Sequence, residues 1–170
     1  MSLSRFRLIF AAPMLLLILV AAECGSSDVE DYQSALEFDQ QLVVEANTDS
    51  NAAWDDFGDS LEPGPLGIGF VVDEDVADVA IGEIENHRKR AGDYLVSLGE
   101  LDPPEECLDR HAFLVKENEL RVEYSDYQLE YIDRIDDLDY DVDGTTEAMF
   151  DILDELQANR DAYNSKHHEC

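Results

Sequence analysis

Basic side chains are scarce in this chain: 11 lysines and arginines stand against 41 aspartates and glutamates in 170 residues. With the first 23 residues set aside (they hold Arg5, Arg7 and Glu23), the balance is nine against forty. A surface of that sign repels nucleic-acid phosphates and anionic lipid headgroups and attracts cations, so nucleic acid is not an expected partner. The same acidity fits either adaptation to salt or a specific cation site. Recognisable catalytic spacings are missing as well. There is no nucleophile elbow, no His-Glu-x-x-His, no Glu-x-x-His pair of the di-iron bundles and no Cys-x-x-Cys-His for haem attachment. The expectation is a protein that is not an enzyme and has no resident cofactor. No stretch alternates with a period of two convincingly enough to predict a sheet.

What the chain does have is helical periodicity, with 45% apolar residues, enough for one domain with its own core. The longest predicted helix runs from Asp102 to Ile135. Asp102 is placed to cap it, Pro103 suits the first position and Glu105 completes a capping box. Phe113, Leu120, Tyr124, Tyr127, Tyr131 and Ile135 share one face, and the tyrosines read as packing rather than a ligand cage. Leu108, Val115, Val122 and Leu129 recur every seven residues on the other side. Two apolar stripes place this helix centrally in a bundle.

Before it, Ser27-x-x-Glu30 opens a helix whose stripe (Val29, Tyr32, Leu36, Val43, Trp54, Phe57, Leu61) stays in phase across the poor helix formers Asn47 to Asn51. Pro63 to Gly69 is a connecting loop. Its glycines resemble a phosphate loop only superficially, because no strand precedes it and no lysine follows. A helix from about Asp75 to Gly99 buries Val76, Val79, Ala80, Ile84, Ala91, Tyr94, Leu95 and Leu98, with Gly99 as C-terminal cap. It carries the one basic cluster, His87-Arg88-Lys89-Arg90, which is predicted to pair with acidic neighbours. A last helix follows Gly144, capped by Thr145, with Met149, Leu153, Leu156 and Tyr163 inward. The predicted fold class is all-α: an antiparallel bundle of about four helices, up-down-up-down.

The N-terminus reads as an address. Arg5 and Arg7 precede an apolar run, Leu8 to Ala22, whose 15 residues fall short of the roughly 20 that span a bilayer. Ala21-Ala22-Glu23-Cys24-Gly25-Ser26-Ser27 follows, and residues 1–28 resemble a bacterial lipoprotein signal and tether. Glu23 and Ala21 depart from that pattern, where a small residue and a leucine are usual. The resemblance implies that Cys24 is diacylated and becomes the mature N-terminus, anchoring the protein to a membrane. Cleavage after Ala22 to release a secreted protein, or retention as an uncleaved anchor, are the alternatives. The implied organisation is a signal peptide over 1–23, a tether over 24–28 and a helical domain over 29–170.

If Cys24 carries lipid, Cys107 and Cys170 remain as a pair in an oxidising compartment. Counting 29 residues from Cys107 to Asp136 and 25 from Thr145 to Cys170 brings both to one end of an antiparallel hairpin, within about 6 Å of axial rise. A disulfide is the expectation. A Cys₂His₂ metal site with His111 and His167 or His168, or free thiols, are the alternatives. Between the last two helices, Asp139-x-Asp141-x-Asp143-Gly144 resembles the first half of an EF-hand calcium loop, with alternating carboxylates that could converge on a hard cation. The second half departs from it: Phe150 stands where the bidentate glutamate belongs, leaving Glu147 and Asp151 to compensate. The functional expectation is an exported, lipid-anchored helical scaffold or interaction module, partnered with the membrane and another cell-envelope protein. The alternative is a weak extracytoplasmic calcium binder using Asp139, Asp141, Asp143 and Glu147.

Overall fold

A computed structural model of the chain describes residues 27–64, 70–136, 142–165 and 170. Among them, four α-helices run α1 (Ser27–Ser60), α2 (Glu74–Glu100), α3 (Leu108–Asp136) and α4 (Asp143–Asn164), each packed against the next. The bundle is antiparallel, as the short connections between packed neighbours require. One short antiparallel pairing, β1 (Glu62–Pro63) with β2 (Phe70–Val71), closes the turn between α1 and α2. No sheet is expected from the sequence, and two residues a strand are too few to show a period.

Two apolar clusters fill the bundle. One, toward the β1–β2 pole, gathers Trp54 and Phe57 of α1, Ala80 and Ile84 of α2, Leu120 and Tyr131 of α3, and Met149 and Ile152 of α4. Trp54 stacks on Phe57 and meets Tyr131 edge-on, both at 5.6 Å between ring centres. The other, at the opposite pole, joins Val29, Tyr32 and Leu36 to Tyr94, Leu98, Cys107 and Leu114. There Cys107 and Cys170 are joined by a disulfide, with Cα atoms 5.0 Å apart, the pairing that the hairpin lengths predict. α3 packs on α2 and α4 and reaches α1 through its side chains, so its central place holds.

Several element boundaries differ from those the sequence predicts. α3 does not begin at Asp102. A 3₁₀ turn over Glu105–Cys107 precedes it, with Pro104 before the turn and no side-chain cap. The reason is the second proline: a residue followed by proline is pushed out of the helical region, so Pro103 cannot start a helix ahead of Pro104. α2 is capped by Asp73, whose Oδ1 accepts from the backbone N–H groups of Asp75 and Val76. Gly99 lies inside α2 rather than capping it; the helix ends at Leu101, in extended backbone, before the Pro103-Pro104 pair. Val79 faces solvent at 60% exposure. Thr145 does not cap α4. It is buried and donates its hydroxyl to Glu130 Oε1 at 3.2 Å, a bond across the hairpin in place of one along the chain.

Candidate functional site

Of the predicted site residues, Cys24 lies outside the described residues, as do Asp139, Asp141, His167, His168 and the glycines of 65–69. Asp143 and Glu147 fall one turn apart at the start of α4, both exposed to solvent. Among the described residues, no group of three or more His, Cys, Asp or Glu side chains is arranged to hold a metal ion. The Cys₂His₂ alternative is overturned: both sulfurs are spent in the disulfide, and His111 Nδ1 is hydrogen-bonded to Tyr32 Oη at 3.1 Å. The basic cluster of α2 divides. Arg88 pairs with Asp126 of α3 and Lys89 with Asp93, as expected of a solvated face. His87 turns the other way and is 3% exposed.

His87 belongs to a polar layer that the helical periodicity does not predict. Where the two apolar clusters meet, Ser50, His87, Glu117, Asn118, Ser125 and Gln128 are all buried. Arg121 lies among them with its side chain 15% exposed. Glu117 Oε1 accepts from Arg121 Nη2 at 3.0 Å and from Arg160 Nη2 and Nε at 2.6 and 3.1 Å, so one carboxylate oxygen holds guanidiniums from α3 and α4. Arg121 Nη1 donates to Asn47 Oδ1 of α1 at 2.6 Å. Burial pushes the Arg121 guanidinium down from its ordinary range, and Glu117 opposes that. The weak helix formers of α1, Asn47 to Ser50, are therefore where α1 meets the layer. Helical continuity there is supported by a side chain from α3.

The hydrogens of the next pair can be assigned. Ser125 Oγ donates to the Arg121 carbonyl at 3.0 Å, which uses its single hydrogen. The 3.1 Å contact between Ser125 Oγ and His87 Nδ1 must then be donated by the imidazole. Burial disfavours the charged imidazole, so His87 is neutral with its one proton on Nδ1, leaving Nε2 as a bare acceptor. That atom is buried and meets no donor among the described residues. The arrangement is the reverse of an activated nucleophile, in which histidine takes the serine proton. Ser125 is also fully buried.

A signal for the layer exists in the sequence: Glu117, Arg121, Ser125 and Gln128 recur at helical spacing. Polar residues at that spacing ordinarily mark a solvated face, and here they mark the opposite. A surface groove at the disulfide pole, about 160 Å³, lies between α3 and α4, lined by Asp109, Ala112, Phe113, Asn159, Ala162 and Tyr163. Phe113 and Tyr163 stack across it at 4.4 Å. No described helix is long and apolar enough to cross a membrane. No protein family, curated protein or solved structure matches the chain.

Proposed function

We propose that this protein is an exported, lipid-anchored helical module that binds or positions another cell-envelope component and does no chemistry of its own. The observation that carries this reading is the Cys107–Cys170 disulfide, with Cys107 fully buried in the core. Disulfides persist in oxidising compartments outside the cytosol. With those two cysteines used, Cys24 is the odd one, sitting after the apolar run and before a Gly-Ser-Ser tether. Supporting a binding role over catalysis, the buried Ser125–His87 pair runs its hydrogen bond the wrong way for a nucleophile. The Glu117 carboxylate is held by two arginines.

Cell fractionation tests the anchor. Wild-type protein is expected with the membranes and Cys24→Ala in the soluble or secreted fraction. Membrane association unchanged in Cys24→Ala removes the lipid from this reading. The calcium alternative is separated by calorimetry: with a loop lacking its bidentate glutamate, binding is expected no tighter than about 10⁻⁴ M. No heat at millimolar calcium leaves the interaction module alone.

A further inference from the structure

We propose that His87 is an acid-sensitive latch between α2 and α3: a proton taken up on its bare Nε2 puts a further cation into the buried polar layer and loosens the middle of the bundle. This holds whether or not the chain is lipid-anchored.

The surroundings leave the added charge without a partner. Nδ1 is already committed to Ser125, so the incoming proton has only Nε2 to occupy, in a place where no acceptor among the described residues meets that atom. From α3, the charged groups at the layer are Arg121 and Glu117, and α4 contributes Arg160. Those three sum to one positive charge before the imidazole gains its own. The buried residues of the facing part of α1 (Val43, Ala46, Ser50 and Ala53) carry no charge, and Asn47 accepts from Arg121. On α2 itself, Arg88 and Lys89 point to solvent and to their own carboxylates. A buried cation beside another cation, where the layer's one carboxylate is already shared by two guanidiniums, is among the costliest arrangements a core can hold. The fold escapes it by opening.

The direction of the response follows. Burial, with a smaller contribution from Arg121, holds the folded imidazole down at about 4 against an ordinary 6.5. A depressed histidine supports the fold fully above its unfolded value and loses that support as pH falls toward the folded one. Between pH 7 and pH 5 the folding equilibrium constant should fall by about twenty-fold from this group alone. The acidic surface responds with the opposite sign, because protonating crowded carboxylates relieves repulsion. Molar salt screens that surface effect and leaves a buried site nearly untouched, so the two separate.

The experiment is a pair of measurements in about 1 M sodium chloride, where screening is short-ranged, on the disulfide-intact protein. Urea unfolding at pH 7 and pH 5 is compared for wild type and His87→Asn, whose amide can still donate to Ser125. Wild type is expected to lose about twenty-fold more of its folding constant than the variant; equal losses overturn the latch. Should the variant fail to fold, ¹⁵N imidazole spectra of wild type decide the matter independently. The expected spectrum shows His87 protonated at Nδ1 and neutral to below about pH 5, with amide exchange on acidification rising around residues 84–91 and 117–128 first. A proton on Nε2 at pH 7, or titration near 6.5 with the fold intact, ends the proposal.

Discussion

Glu117 is a single residue on which two helices depend. Its Oε1 receives three N–H groups, while its Oε2 is buried with no partner among the described residues. Removing the carboxylate leaves Arg121 charged in the interior with only Asn47 and the helix around it. Breaking a buried pair from one side typically costs about 3–5 kcal/mol, because the remaining charge stays desolvated. Glu117→Ala is therefore expected to lose about that much by urea denaturation, and Glu117→Gln nearly as much. Arg160 is 39% exposed, so Arg160→Ala should cost far less, about 1 kcal/mol or under. Equal effects of Glu117→Ala and Arg160→Ala would mean that the layer is not organised around the carboxylate.

At the scale of elements, the sequence was legible wherever one local preference acted without a rival. The stripe of α1 from Val29 to Phe57 is buried as its spacing predicts. So are Ala80, Ile84, Ala91, Tyr94 and Leu98 of α2. Legibility failed where two local signals competed. Asp102-Pro103 is a good helix start until Pro104 forbids it, and Gly99 is a good stop until Leu101 supplies another. It failed again on α3, where Glu117, Arg121 and Ser125 could not be told from a solvated face. Only the tertiary packing decides which side of a helix meets water, and Leu108, expected inward, is 51% exposed.

The disulfide belongs to this scale too, since it ties the turn before α3 to the residues beyond α4. A closed loop of this length, with its cysteines 63 residues apart in sequence, is worth about 4 kcal/mol in the chain-entropy account. Reduction should lower the melting temperature, and Cys107→Ala with Cys170→Ala should reproduce the reduced protein. Melting that ignores reductant would show the unfolded chain to be already confined.

For the whole molecule the dominant quantity is the formal charge of −30. The ion pairs of Arg88, Lys89, Lys116 and Arg134 are largely exposed and absorb little of it. Net charge of that size pushes the folded state apart, and the push is felt over about 30 Å at 0.01 M salt but about 3 Å at 1 M. The melting temperature is expected to climb steadily with sodium chloride across that range at pH 7. Potassium chloride should act equally well, since screening does not distinguish the two. A flat response would place the charge where the helices already keep it apart.

Cys107 and Cys170 also determine how the molecule bears tension. A pull between the start of α1 and Cys170 cannot lengthen anything the disulfide encloses. At about 3.5 Å per extended residue, the 63-residue separation hides roughly 220 Å of chain from the load. Only α1, the β1–β2 turn and α2 can be drawn out, and α3 with α4 stays behind as a covalently closed loop of two helices. Reducing the bond would release that hidden length as a second extension step on the same molecule. Held at the start of α1 and pulled at Cys170, the chain would therefore stretch by a distance that depends on the redox state of its surroundings.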